Sequence, residues 1–255
     1  MVTFTEAQLI SWMSPLIWPF LRTLAVFTSA PVFSSKVVPV RARIALAFFV
    51  AVAAQPSLEG QPVIAISDPG AFGAVFQQVG VGLSIGFAIR VVFSAVELAG
   101  EVVGFQMGLN FASFFDPSMN TQSSAVARFF GQMATFMFVV MGGHILVLLT
   151  VIQSFVVFPM DQNFLDALKK MRIYDLGANL FASGFWLALP MVGILMFTNL
   201  ALGIVSRVAP QMNIYAIGFP ITLTVGLVGM AATLPMLDQP FLALMSHAIG
   251  IFVQK

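Results

Sequence analysis

The chain has 255 residues, 59% of them hydrophobic and only 8% charged, with a mean hydropathy of +0.99 and a formal net charge of +1. A soluble domain carries about 25% charged residues, so a water-soluble globule is excluded and the chain reads as an all-α membrane protein, a single polytopic helical domain over 1–255. The near-neutral charge gives no basic field for nucleic acid. The absence of cysteine removes disulfides, thiolate metal sites and cysteine nucleophiles, and the two histidines, His144 and His247, do not make a histidine-rich metal centre alone. No cofactor, metal or catalytic residue is expected.

The N-terminus carries Glu6 where a cleaved signal would carry basic residues, so the first hydrophobic segment is expected to be retained. From Ala7 to Ser35 the only charge is Arg22, and Pro15 and Pro19 predict a helix with an irregular beginning. Lys36, Arg41 and Arg43 form a first basic loop, a cytoplasmic candidate by the positive-inside rule. The uncharged run 44–58 is short for a span, which needs about 20 residues. A turn-rich acidic connection follows over 59–70. Ala71 to Ile89 is apolar with Gly73, Gly80, Gly82 and Gly86, a pattern that lets helix backbones approach closely.

Phe129 to Met160 is uncharged and carries Gly142-Gly143-His144 in its middle; Lys169, Lys170 and Arg172 then mark a second basic loop. Two apolar segments close the chain, 176–206 and 208–237, with Pro190 and Pro220 as candidate kinks. If both basic loops lie on one side, the crossings between them must be even. The runs 44–58, 71–89 and 129–160 make three, so the region 90–128 is expected to add a re-entrant or crossing element unless the simple spanning picture fails.

Two features break the apolar rule. Arg90, Glu97 and Glu101 recur at i, i+7 and i+11, within roughly 20° of one helical stripe, and Gln106 extends the polar set. Charge at membrane depth costs a few kcal/mol or more unless paired or hydrated, which predicts an assembly stripe partnered by arginines such as Arg22, Arg128 and Arg207. The second feature is the stretch 104–130. Three phenylalanines, Phe111, Phe114 and Phe115, run into Asp116-Pro117 and then a polar run holding Met119.

Several blocks together resemble the FliR family of the flagellar type III export gate: ELAGEVVGFQMGLNFASFFDP at 97–117, AVARFF at 125–130, Gly142-Gly143-His144, and the long segment from Leu187 to Leu227. WPFLRTLAVFTSAPVF at 18–33 and VPVRARIALA at 38–47 fit as well. The injectisome counterpart, SctT, shares the architecture with more divergent sequence in these blocks. The resemblance implies helical hairpins packed in a spiral hetero-oligomeric export-gate assembly with FliP-like and FliQ-like subunits around a pore. FlhB-like and FlhA-like export components would be further partners. It also implies a place in the bacterial inner membrane at the flagellar basal body, contact with membrane lipid, and unfolded proteins as the substrates. Much of such an assembly sits above the conventional membrane plane, which would explain both the overlong segments and the crossing count.

The family's pore is occluded by a loop at the position matching 111–124 here. The expected pore plug comprises Phe111, Phe114, Phe115, Asp116, Pro117 and Met119. A hydrophobic constriction holds a closed pore dry, Pro117 keeps the segment from becoming rigid helix, and non-helical backbone at depth must be buried in protein or line a cavity. The rival reading is a secondary transporter that uses Arg90, Glu97 and Glu101 for coupling, against which stands the lack of an evident inverted repeat. An intramembrane hydrolase built on His144 and a serine lacks the G-x-S-x-G elbow.

Overall fold

The computed structural model describes residues 6–58, 64–109, 124–160, 169, 173–211 and 213–253. Among these, every regular element is helical. The helices are α1 (Glu6–Ser29), α2 (Pro31–Ser34), α3 (Val40–Ala54), α4 (Ala71–Gln106), α5 (Ala125–Val140), α6 (Gly143–Val157), α7 (Ile173–Val208), α8 (Ile214–Thr233) and α9 (Asp238–Gly250). Short 3₁₀ turns cover Gln55–Leu58 and Leu234–Met236. Among the described residues, four helical stretches are long and apolar enough to cross a membrane: Val40–Leu58, Ala71–Gln106, Tyr174–Val208 and Ala216–Met236. The broken pair α5–α6 makes a fifth if it counts as one span.

The described residues fall into two compact units, each assembled from separate stretches: 1–91 with 139–177 and 245–255, and 92–138 with 178–244. In the first unit α1 packs against the N-terminal half of α4. The glycine spacing explains how. A β-carbon at Gly82 would strike the backbone carbonyl of Arg22, and one at Gly86 would strike the Ser29 hydroxyl. The backbones therefore meet as the glycine pattern leads one to expect. Trp18, Val26, Phe27, Ile85 and Phe155 are buried there, and the Trp18 indole donates to the Ile64 carbonyl at 3.0 Å. In the second unit Phe93 stands edge-on to both Phe138 and Phe241, with centroids 5.7 and 6.1 Å away.

Several sequence expectations are corrected. α1 is continuous through Pro15 and Pro19 rather than irregular at its start. Pro19 has no N–H for the carbonyl of Pro15, and the Gln55 side-chain amide donates to that carbonyl instead, at 2.8 Å. The helix before the acidic connection starts at Val40, and with its 3₁₀ extension it reaches span length. The run 129–160 is broken at Gly142, whose φ of +73° lies in the left-handed region that glycine tolerates. α4 runs unbroken through Arg90 to Gln106, and the rest of the 90–128 region, from 110 to 123, lies outside the described residues. Pro190 and Pro220 lie inside α7 and α8. α4 and α7 have 36 residues each, about 54 Å of helix against a hydrocarbon core of about 30 Å.

Candidate functional site

The proposed plug residues Phe111, Phe114, Phe115, Asp116, Pro117 and Met119 lie outside the described residues. The structure does describe the two stems that carry the segment 110–123. On the first, α4 ends at Gln106, and Gly108 turns the chain with φ +80°, a conformation costly for any residue with a β-carbon. Met107 is fully buried. Its carbonyl accepts the Thr222 hydroxyl of α8 at 3.3 Å. A β-carbon at Gly226 would fall 2.6–2.7 Å from three Met107 side-chain atoms, so that glycine makes the seat for the methionine.

On the second stem, Ser124 caps α5: its hydroxyl accepts the Ala127 N–H at 3.1 Å and its carbonyl accepts the Arg128 N–H at 2.9 Å. Its own N–H donates to the Glu101 carboxylate at 2.8 Å. Glu101 thus reaches from α4 to the N-terminus of α5, where unsatisfied N–H groups and the helix dipole favour an anion. One turn earlier, the Glu97 side chain covers Gly131: a β-carbon there would sit 2.9 Å from Glu97 Oε1. Gly100 lies against the Ala127 backbone, with 2.7 Å left for a β-carbon. The i,i+4 glutamates therefore both turn toward α5, and one of them is a cap in trans.

Arg90 is exposed and belongs to the first unit; Arg128 and Arg207 are exposed in the first turn of α5 and the last turn of α7. Gln106 accepts from Asn199 at 3.5 Å, the outer limit of a hydrogen bond. An apolar cavity of about 320 Å³ opens beside the stem, lined by Met107, Leu109, Val126, Phe129, Leu227 and Met230 among others.

Arg22, one of the three arginines available to the glutamates by sequence, is held by neutral groups of the first unit. It is fully buried in the first unit. Its Nε donates to Gln78 Oε1 at 2.8 Å, one terminal nitrogen to the Ser154 hydroxyl at 2.9 Å, and the other to the Phe158 carbonyl at 2.8 Å. The guanidinium lies 3.6 Å from the centroid of the Phe155 ring. Phe158 is the C-cap of α6, so the cation sits at the negative end of a helix dipole and over the negative face of a ring. Gln77 continues the network by donating to the Pro159 carbonyl at 3.2 Å. The sequence signal for this node was present: Gln77-Gln78 is a polar pair in an apolar run, and Arg22 is the single charge of its segment. Ser154 donates to its own helix at Val151, and His144 is exposed in the first turn of α6.

Residues 13–248 match the family described as bacterial export proteins, family 1. The chain belongs to that family. Among curated relatives it is 37% identical over 241 residues to the flagellar biosynthetic protein FliR of Escherichia coli strain K12, covering 94% of this chain and 92% of that protein. It is 36% identical to the FliR of Pectobacterium carotovorum over the same extent. Against the FliR of Bacillus subtilis strain 168 it is 31% identical over 212 residues, 82% of each chain. The match includes both stems and the Leu187–Leu227 block on which the resemblance rests.

Proposed function

We propose that the chain is a non-enzymatic subunit of the flagellar protein export apparatus, seated in the bacterial inner membrane at the basal body. The observation that carries this reading is near-full-length similarity to FliR proteins, joined to helices that can span a membrane. FliP-like and FliQ-like subunits are its neighbours in a spiral gate, with FlhB-like and FlhA-like components nearby, and unfolded flagellar proteins pass through. The exposed apolar side chains on α7, including Phe185, Trp186, Phe197 and Leu200, suit coverage by lipid and by those neighbours.

Within that subunit, residues 111–124 act as the pore plug. The support is physical: an aromatic and methionine-bearing segment interrupted by Asp116-Pro117, carried on stems that are themselves firmly fixed. Met107 is locked by Thr222 and Gly226, and Ser124 by Glu101. Fixed ends around soft methionine and aromatic side chains suit a seal that yields to a passing chain and returns. The cavity beside Met107 has the apolar character to receive a phenylalanine or methionine from it.

Co-purification in mild detergent tests the subunit assignment: FliP-like and FliQ-like partners are expected, and recovery of a lone monomer overturns it. Deleting 116–123, which leaves the Ser124 cap in place, tests the plug. Resting ion conductance of the assembled complex should rise, and unchanged conductance in an intact complex overturns the plug while leaving the subunit assignment standing. Proton-coupled solute uptake by the chain alone, lost in Glu97→Gln or Glu101→Gln, would establish the transporter reading instead.

A further inference from the structure

We propose that a cavity in the second unit, between α7 and α9, receives an indole or phenol side chain from a membrane helix of a neighbouring export-apparatus subunit, an inference that rests on the subunit assignment above. The cavity holds about 350 Å³ and is walled by Leu187 and Pro190 of α7, Met236 of the 3₁₀ turn and Leu244 of α9 among others. Trp186 lines it as well and is 74% exposed. Ser183, Trp186, Leu187 and Pro190 recur at i, i+3, i+4 and i+7, so a single face of α7 supplies them.

The lining is hydrocarbon apart from a few polar groups. The Thr233 hydroxyl is already committed, donating to the Gly229 carbonyl at 2.9 Å. The Ser183 hydroxyl makes no hydrogen bond among the described residues. It differs in this from Thr198 and Ser206 farther along the same helix, which donate back to Ile194 and Gly203. The other open group is the backbone carbonyl of Trp186. A helical carbonyl points along the axis toward residue i+4, and here that residue is Pro190, which has no N–H to offer. At Pro15 the same vacancy is met by the Gln55 amide; at Trp186 no side chain of the described residues donates. Both open groups lie inside the candidate span Tyr174–Val208, where water does not replace missing bonds and an unmet carbonyl is costly.

These groups define the occupant. An acyl chain fills the volume but carries no donor, since the donors of a lipid sit in its headgroup. Leucine, methionine and phenylalanine side chains share that lack. A lysine or arginine would donate, but no carboxylate lines the cavity to balance its charge. Indole and phenol place one donor on a large apolar ring, and serine hydroxyls commonly bond across helices in membranes. Aromatic anchors seated in pockets are also the usual centres of binding energy between proteins.

The test uses the full chain in its purified assembly. A benzophenone amino acid in place of Trp186 should crosslink within one helical turn of a tryptophan or tyrosine in a membrane helix of another subunit, with the site mapped by mass spectrometry. Replacing that partner residue by phenylalanine keeps the ring and removes the donor. Retention of this chain in the complex on dilution in detergent should weaken by about fivefold, the share of one neutral hydrogen bond. The same replacement should cost little against Pro190→Ala, which gives the Trp186 carbonyl its helical donor back. Ala243→Phe fills the cavity from within and should weaken retention by about thirtyfold, as loss of a central anchor does, with the chain's own unfolding temperature unchanged. Should that variant misfold, the partner replacement decides alone. Crosslinks to lipid only, or to helices without a tryptophan or tyrosine at that place, overturn the inference and leave the subunit assignment standing, and so does a phenylalanine replacement that costs nothing. Recovery of the chain without any partner overturns the subunit assignment, and the inference with it.

Discussion

Glu101 accepts the backbone N–H of Ser124 at 2.8 Å, joining the last turns of α4 to the first residue ahead of α5. The bond is charge-assisted and lies at a helix N-terminus, the setting in which a carboxylate contributes most. Glu101→Ala should therefore free the start of α5. Amide exchange at Ser124 and through the first turn is expected to accelerate by roughly tenfold, the equivalent of about 1.4 kcal/mol. Glu101→Gln, which keeps an acceptor without the charge, should fall between the two. Exchange that is the same in all three proteins would show that the cap contributes nothing. If the plug reading holds as well, Glu101→Ala raises resting conductance less than the 116–123 deletion does.

The Arg22 node gives a sharper test of stability. Gln78, Ser154 and Phe158 all present oxygens to a single guanidinium, and removing it strands those acceptors in a dry interior. Arg22→Met should lower stability by about 1–3 kcal/mol for each acceptor left unsatisfied. Arg22→Lys is expected to rescue little, since an ammonium lacks the planar fork that reaches three acceptors and lies flat on Phe155. Thermal unfolding in detergent measures both. A lysine variant as stable as the parent would mean that charge, not geometry, holds the node.

Glycine substitutions separate packing inside the chain from packing against neighbours. Gly86→Ala places a β-carbon on the Ser29 side chain and within 3.0 Å of the Ala30 nitrogen, so the isolated chain should lose stability. Gly193 and Gly203 on α7 have nothing within 4 Å of an added β-carbon, and Gly218 on α8 meets only Leu202 at 3.7 Å. Gly203→Leu and Gly218→Leu should leave the chain's own unfolding temperature unchanged while reducing recovery of the assembled complex, as should Arg207→Ala at the exposed end of α7. Complex yields equal to the parent's would show that these faces are not covered in the assembly.

Helix class, membrane character and family were legible in the sequence because they rest on signals summed over many residues: apolar runs, glycine spacing and long matching blocks. What could not be read were single-residue pairings across distant segments. Arg22 was one of three arginines that spacing left available to the glutamates without pairing any of them, and its charge is balanced instead by neutral oxygens, a helix terminus and a ring. Glu101 was expected to mark a stripe, and its role as a cap depends on where α5 begins relative to α4, which spacing does not encode. The break at Gly142 was masked by the unbroken apolar composition on either side of it.

Gln55 offers the last test, because its partner is a vacancy created by sequence. Within α1 the Pro15 carbonyl would accept from residue 19, and proline there has no N–H. The Gln55 amide, arriving from the end of α3, donates in its place. Gln55→Ala should therefore destabilise the chain by about 1 kcal/mol, the usual worth of a neutral hydrogen bond. Pro19→Ala restores the backbone donor and lets the helix satisfy its own carbonyl. In that background Gln55→Ala should cost markedly less, so that the double-mutant cycle shows a coupling of at least about 0.5 kcal/mol between positions that lie 36 residues apart in sequence. Strict additivity in thermal unfolding would mean that Gln55 stabilises the α1–α3 contact by packing alone.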